Sequence, residues 1–454
     1  MPWLAPHLSF APAALLTVIG VLGAGLLVGA LNSADRRRAL HRGRIASVEG
    51  TRIGESGVRL LLHLTPVLLL SLVYPVASRQ MLGIEVEGVP LTALILGASV
   101  AMPWISQGVS MPLYSALGAL LLGDDTDAVK SRFGKVWGSV GVQTAPTVLL
   151  FAVPIHFAAG WGWHATGVFV LLSLANTLFA QALVLSSVAG GRAAWALSWV
   201  FFAAAVWFSP TTWWLPPLVG SLPALVLLRR QLWQRPVWVS PIEVWRDTVR
   251  GLLLGSVLWA DKLVLFMVVG TAFAVDTLFL ALLPAIVAYN FYFVCLAPRF
   301  DASVASMRHA MENRPLRELG PYSRGLAVTV SQSVLQAGLV GAVMAFGMSW
   351  LLVDARPDQA AFAVAVALAS WTFMLVTVTC YKIDYVGQRG RAQWLSLVMV
   401  GALVAAFLIL PAGPLAYLAA AGAALVVLAV AVWTAVGAWR TPEYTFFWRH
   451  ATAW

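Results

Sequence analysis

The sequence predicts an all-α polytopic membrane protein, and three observations carry that reading. Of 454 residues, 60% are hydrophobic and only 11% charged, against roughly 25% charged in soluble globular proteins. Mean hydropathy is +0.83, and 21 Trp and 21 Phe need an apolar surrounding. Apolar runs of about 20 residues, the length that crosses a hydrocarbon core as a helix, recur along the chain. The same figures exclude a disordered or collagen-like chain. A net charge of +10 would suggest nucleic acid in a soluble domain. In a membrane protein it follows from Lys and Arg collecting on cytoplasmic loops, so no nucleic-acid partner is expected. The two cysteines, Cys295 and Cys380, lie inside apolar runs, which predicts neither a disulfide framework nor a cysteine-ligated metal.

Thirteen spans satisfy the length criterion. They are residues 10–31, 58–78, 89–108, 137–157, 163–188, 193–208, 212–229, 251–272, 275–297, 326–353, 360–382, 392–411 and 414–438. Residues 109–122 either extend the third span or lie in the interface. The loops test this reading independently, because a miscounted helix would scramble the alternation of basic charge. On that count 26 of the 29 basic residues fall on one side, in groups beginning at Arg36, Lys130, Arg192, Arg229, Arg299, Lys382 and Arg440. The opposite loops hold only Arg79 and Arg356, and Lys262 lies within a span. The chain is therefore expected in the plasma (inner) membrane with its N-terminus outside and its C-terminus cytoplasmic. Met1–Phe10 contains no Lys or Arg, which favours a retained first helix over a cleaved signal peptide. Trp137, Trp161, Trp163, Trp213, Trp214, Trp350 and Trp439 stand at span ends, where aromatic belts form.

The segment RRQLWQRPVWVSPIEVWRDTVR, residues 229–250, interleaves tryptophans with arginines and two prolines, a composition suited to the inner headgroups. It divides the chain into an extra N-terminal helix and basic linker (1–57), a six-helix lobe (58–229), an amphipathic cytoplasmic linker (230–250), a second six-helix lobe (251–438) and a cytoplasmic tail (439–454). Both lobes begin and end on the basic side, as parallel repeats related by an axis along the membrane normal would. Intraspan prolines at Pro66, Pro146, Pro223 and Pro284 are candidate kinks for a rocking motion.

Ionisable groups in mid-membrane are costly and mark pathways or ion sites. One pair meets that description: VLWADKLVLF places Asp261 and Lys262 about ten residues, or roughly 15 Å, from the inner end of their span. Adjacent helical positions point about 100° apart, so each is expected to face a polar cavity or another helix instead of its neighbour. The functional reading is a site between the lobes, where Asp261 takes a proton or cation and Lys262 meets an anionic or hydroxyl-rich substrate. The bland reading is a structural pair satisfied by backbone carbonyls. Asn176 and Gln181, Gln143 and Thr144, Tyr289 and Asn290, and Ser331, Gln332 and Gln336 either line a hydrated cavity or make helix-to-helix hydrogen bonds. The cavity set is Asp261, Lys262, Asn176, Asn290 and Gln336.

Enzymatic motifs are scarce. Neither GxxxxGK[ST] nor HExxH occurs, and His63, His156 and His164 read as packed or interfacial. Glu85 and Glu87 in GIEVEGVP resemble the acidic outer-loop motif of membrane glycosyltransferases that use polyprenyl-phosphate sugars and a metal. The other outer loops are only a few residues long, unlike those enzymes, so a non-enzyme without metal or organic cofactor is expected.

Four stretches carry a family resemblance: SLANTLFAQAL around Asn176, SVLWADKLVLF around Asp261 and Lys262, LFLALLPAIVAYNFYF after it, and RTPEYTFF around Glu443 and Tyr444. VSQSVLQAG around Gln336 agrees more loosely. Over most of residues 58–447 the chain resembles the Pel-type exopolysaccharide transporters of the multidrug, oligosaccharidyl-lipid and polysaccharide flippase superfamily. The resemblance implies a 12-helix core of two bundles around a central cavity. It also implies alternating access, with outward passage of a glycan or lipid-linked glycan. The family's WADK-like motif falls on Trp259, Ala260, Asp261 and Lys262. The chain departs from the pattern in its extra first span and in apolar Ala297, where an acidic residue would be expected. Expected partners are the glycan or lipid-linked glycan, membrane lipids, a cytosolic glycosyltransferase and further membrane subunits of an export complex. The alternative functions are a cation-coupled multidrug exporter and a polyprenyl-phosphate-sugar-dependent glycosyltransferase.

Overall fold

The computed structural model describes residues 53–451 apart from 119, 121–124, 190, 232 and 233. The expected first span, 10–31, and most of the basic linker lie outside the described residues. Within them the chain is helical almost throughout, and eleven of the twelve remaining spans each fall on one continuous helical segment, the exception being 137–157. Among the described residues nine helical segments are long and apolar enough to cross a membrane, and 60–70, 193–208 and 215–228 are shorter apolar helices. The chain is an all-α polytopic membrane protein. Its contacts divide the described residues into two units, one running from Thr65 to Phe273 and the other comprising residues 53–64 and 274–451. Helix α1, Ile53–Met81, spans the junction between Leu64 and Thr65.

In the Thr65–Phe273 unit, α1 leads into a two-residue hairpin, β1 (Glu85–Val86) pairing antiparallel with β2 (Val89–Pro90). Glu87 and Gly88 make its turn with φ of 54° and 77°. Positive φ at both central residues is the geometry whose twist matches a tight hairpin, and only glycine adopts it without strain. Then come α2 (Leu91–Leu117), α3 (Thr126–Thr144), α4 (Thr147–Ala159), α5 (Trp163–Val188), α6 (Gly191–Phe208), α7 (Leu215–Leu228) and α8 (Pro241–Val269). α2 carries the third span on to Leu117, so 109–117 extends that helix. The span expected over 137–157 is two helices meeting at Pro146, whose missing N–H and fixed φ interrupt the ladder. Asp125 caps α3, its Oδ1 accepting from the N–H groups of Asp127 (3.0 Å) and Ala128 (2.9 Å). Leu113, Leu117, Val129, Phe133, Val136, Val140, Leu185, Leu228 and Val244 form one buried cluster, joining α2, α3, α5, α7 and α8.

The linker expected over 230–250 is shorter than the composition suggested. Residues 241–250 are the opening turns of α8, started by Pro241 at a position where a missing donor costs nothing. Residues 235–240 are irregular and tied to α3: Val237 N–H donates to the Lys135 carbonyl (2.7 Å), and Val239 N–H to Ser139 Oγ (3.0 Å). Because α8 is continuous through 250 and packs chiefly along α2, it belongs with the preceding helices. The division expected within 230–250 thus falls after Phe273.

In the unit from Ala274, α9 (Val275–Phe291) passes through a π-helical turn, Tyr292–Leu296, into α10 (Ala297–Asn313). There follow α11 (Gly320–Ala355), α12 (Ala360–Tyr385), α13 (Arg389–Ile409), α14 (Pro414–Arg440) and α15 (Pro442–Ala451). α12 is the central helix, packed on α9, α11, α13 and α14. α11 presents Leu335, Leu339, Val343, Phe346 and Trp350 outward, all more than half exposed. An apolar stripe of that length is lipid-facing in a membrane protein. Arg356, one of the two basic residues of the opposite loops, donates to Thr277 Oγ1 (2.8 Å) and lies 3.9 Å from Asp276.

The tryptophans expected at span ends divide into two kinds. Trp163, Trp214 and Trp350 are exposed, whereas Trp161 and Trp439 are buried packing residues.

Candidate functional site

Two glycines place α8 against α2. A Cβ on Gly251 would stand 2.3 Å from the Gln107 carbonyl oxygen, and one on Gly255 2.7 Å from Gln107 Cβ. This Gly-x-x-x-Gly spacing lets two membrane helices approach backbone to backbone. Gly108 answers from α2, where a Cβ would come within 2.7 Å of Leu252. Trp104 Nε1 donates to the Leu252 carbonyl at 2.8 Å. The sequence reading missed this contact, although Gly251 and Gly255 were visible in it.

One and a half turns beyond Gly255, the same helix carries Asp261 and Lys262. They are 0% and 2% exposed, in a 29-residue helix whose apolar part extends to Val269. Ten residues from Gly251 and eight from Val269, they lie near the middle of a hydrocarbon core. The expectation that adjacent positions would face apart is corrected. Lys262 Nζ stands 2.7 Å from Asp261 Oδ1 and donates to the Leu258 carbonyl at 2.8 Å. The Cβ directions diverge, but the four-carbon lysine stem folds back toward the helix N-terminus and brings the ammonium to both oxygens. The Trp259 ring lies 5.6 Å from the same nitrogen. A buried pair of this kind is stable only while both members are present, since desolvation costs several kcal/mol per ion.

The other expected cavity residues are placed as follows. Asn176 is half-buried on α5 and donates to its own Leu172 carbonyl (2.9 Å). Asn290 does the same with Ile286 (2.9 Å) on α9, and Gln336 is half-buried on α11. Asp261, Lys262 and Asn176 belong to the Thr65–Phe273 unit, and Asn290 and Gln336 to the other. The structure brings Asp261 and Lys262 together. Gln181 makes helix-to-helix bonds instead, and Gln143 bonds within α3 and to the irregular 235–240 segment. Gln181 donates to Val109 O (3.3 Å) and Thr144 Oγ1 (3.0 Å) and accepts from Trp137 Nε1 (3.1 Å), joining α2, α3 and α5. Gln143 Nε2 donates to Ser139 Oγ and to Val239 O.

Glu87 has a defined structural task. Its Oε2 accepts from the N–H groups of His164 (2.9 Å) and Ala165 (3.2 Å), capping α5 where the helix dipole favours negative charge. The carboxylate sits over Gly162, where a Cβ would meet it at 2.1 Å. Glu85 is exposed on β1. His156 Nδ1 lies 2.9 Å from Thr166 Oγ1 and its ring stacks on Trp163 at 4.2 Å. Among the described residues no group of three His, Cys, Asp or Glu could hold a metal ion.

A second buried cation lies where the sequence reading saw a loop. Lys382 is 1% exposed on α12, with Nζ 3.2 Å from the Phe300 ring centroid and 5.0 Å from that of Tyr292. Tyr292 opens the π-helical turn and Phe300 lies in the first turn of α10 that follows it. Counting Lys382 with the loop charges hid it, because TCYKIDY ends an apolar span at a point where a snorkelling lysine is ordinary.

Comparison with protein-family models, with curated proteins and with solved structures finds no match.

Proposed function

We propose that this chain is an inner-membrane transporter that moves a glycan or lipid-linked glycan outward by alternating access, in the manner of the Pel-type exopolysaccharide transporters it resembles. The observation that carries this reading is the Asp261–Lys262 pair, 2.7 Å apart, buried in a helix long enough to cross the bilayer. Ionisable residues at such depth are by default part of a pathway or coupling site. In this reading Asp261 neutralises Lys262 at rest, and a hydroxyl-rich or anionic group of the substrate competes for the ammonium during passage. The reading as a transporter and not a glycosyltransferase draws support from Glu87, whose carboxylate is committed to capping α5. The N-terminus is outside and the C-terminus cytoplasmic, in keeping with the basic loops. A cytosolic glycosyltransferase and membrane subunits supply and receive the glycan.

The test is complementation of cells lacking the gene, read as secreted polysaccharide. Asp261→Asn and Lys262→Ala abolish export when export is normalised to the amount of each variant in the membrane. Normal export by both variants overturns the reading. Proton- or sodium-dependent efflux of small organic cations with no effect on polysaccharide would instead identify a drug exporter, and Glu85→Gln abolishing sugar transfer from a polyprenyl donor would identify an enzyme.

A further inference from the structure

The unit from Ala274 carries ordered structure beyond the bilayer on its arginine-rich end. α9, the π-turn and α10 form one 39-residue helical run, and α11 has 36 residues. At about 1.5 Å per residue each is nearly twice as long as the roughly 30 Å hydrocarbon core. Phe300 marks the exit level, since its ring packs edge-on against Tyr385 (4.8 Å) and Trp439 (5.4 Å), at the ends of α12 and α14. The rest of α10, about 20 Å of helix, and the first turns of α11 stand outside. α15 braces them: Ser323 Oγ donates to Glu443 Oε2 (2.6 Å), and Arg308 lies over the Phe446 ring (5.8 Å).

Where α10 turns into α11 there is a cleft of about 350 Å³ whose polar lining comprises Ser306, His309, Asn313, Arg314, Glu318 and Tyr322. That volume is at the low end for small-molecule sites. Its charges cancel locally, Arg314 Nη1 lying 3.4 Å from Glu318 Oε2. The cleft lining thus sets one guanidinium against one carboxylate. It offers closely spaced donors and acceptors on planar groups. Asn313 Nδ2 is held by the His309 carbonyl (2.9 Å) and lies 3.2 Å from His309 Nδ1, which leaves the Asn313 amide oxygen for a ligand. The Tyr322 ring, 5.7 Å from the Arg314 guanidinium, supplies an apolar wall. Mixed donors and acceptors beside one aromatic ring match a neutral polyhydroxyl ring, with an apolar C–H face and equatorial hydroxyls that each donate and accept.

We infer that this cleft is a binding site for an uncharged hexose or N-acetylhexosamine unit, separate from the Asp261–Lys262 pair. It lies on the side where the basic loops collect.

Binding is read without transport, so failure here and failure of the transporter reading are distinguishable. The full chain in nanodiscs carries a nitroxide on Ala305→Cys, beside the cleft, or on Asp358→Cys, at the far end of the same unit. Native Cys295 and Cys380 are buried and leave the label specific. The probes are methyl glucoside, N-acetylglucosamine and maltose, with inorganic phosphate and choline as controls. We expect the Ala305 label to broaden the proton resonances of at least one sugar and the Asp358 label to leave them sharp. Asn313→Ala or Tyr322→Ala should weaken that sugar about tenfold, as loss of a hydrogen bond or a stacking face does. The inference is overturned if no sugar is broadened, if both labels broaden it equally, if neither cleft variant weakens it, or if phosphate alone binds. The two labels in otherwise unchanged protein decide the matter even if a cleft variant misfolds.

Discussion

Removing only one member of the Asp261–Lys262 pair should cost more than removing both. Lys262→Met leaves the Asp261 carboxylate fully buried without the ammonium 2.7 Å away, and Asp261→Leu leaves the ammonium with the Leu258 carbonyl and the Trp259 face. Breaking a buried pair from one side costs about 3–5 kcal/mol, whereas replacing both partners by apolar residues of similar volume is often neutral or stabilising. The double variant Asp261→Leu/Lys262→Met should therefore recover most of that loss. Unfolding in mixed micelles, titrated with a denaturing detergent, gives the four corners of the cycle, and a coupling energy of at least about 2 kcal/mol is expected. Export measured on the same proteins separates fold from function: the double variant should be stable and inactive. A double variant that exports normally would show that the pair serves packing alone. Single variants as stable as wild type would show that the two charges are not held together in the membrane.

Other consequences concern the frame around the pair. Gly251→Ala puts a methyl 2.3 Å from the Gln107 carbonyl oxygen, so α2 and α8 must part. A loss of about 1–3 kcal/mol is expected from that overpacking, against a gain of about 0.5–1 kcal/mol for Gly138→Ala, which lies inside α3 and meets nothing within 4 Å. Detergent unfolding of the two variants checks this. Glu87→Ala removes the acceptor of two α5 N–H groups and should cost about 1 kcal/mol, with faster hydrogen exchange confined to the first turn of α5 and the 85–90 hairpin. Gln181→Leu strands Trp137 Nε1 and Thr144 without their partner and should lower stability by about 1–3 kcal/mol, seen as a lower thermal midpoint with unchanged export.

The spans were legible because one physical requirement, a 20-residue apolar run, is written locally in each of them. What continues a helix after it leaves lipid is written differently. Residues 298–313 read as a basic loop, yet Phe300, Val304, Met307 and Ala310 recur at helical spacing and are the buried residues of α10. That signal was present but outweighed by the arginines between them. The unit boundary was hidden for a similar reason: Arg246 and Arg250 suggested a connection, although both ride on α8. At the candidate site, depth located Asp261 and Lys262, but their pairing depended on side-chain reach, which spacing on a helical wheel omits. Lys382 escaped because its partners Phe300 and Tyr292 are some eighty residues away in sequence. Gln143 and Gln181 were ambiguous between cavity and helix glue; the bonds of Gln181 to Thr144 and Val109 decide for glue, and Gln143 ties α3 to the segment before α8 at Val239.

The burial of two lysines has a practical consequence. The chain contains four, and Lys262 and Lys382 are sealed within helices, leaving Lys130 and Lys135 five residues, roughly a turn and a half, apart on α3. Besides the amino terminus, an amine-reactive dye or crosslinker applied to the folded protein would thus find a single patch. The native chain already offers a fixed attachment point on its basic side for tethering or for distance measurements.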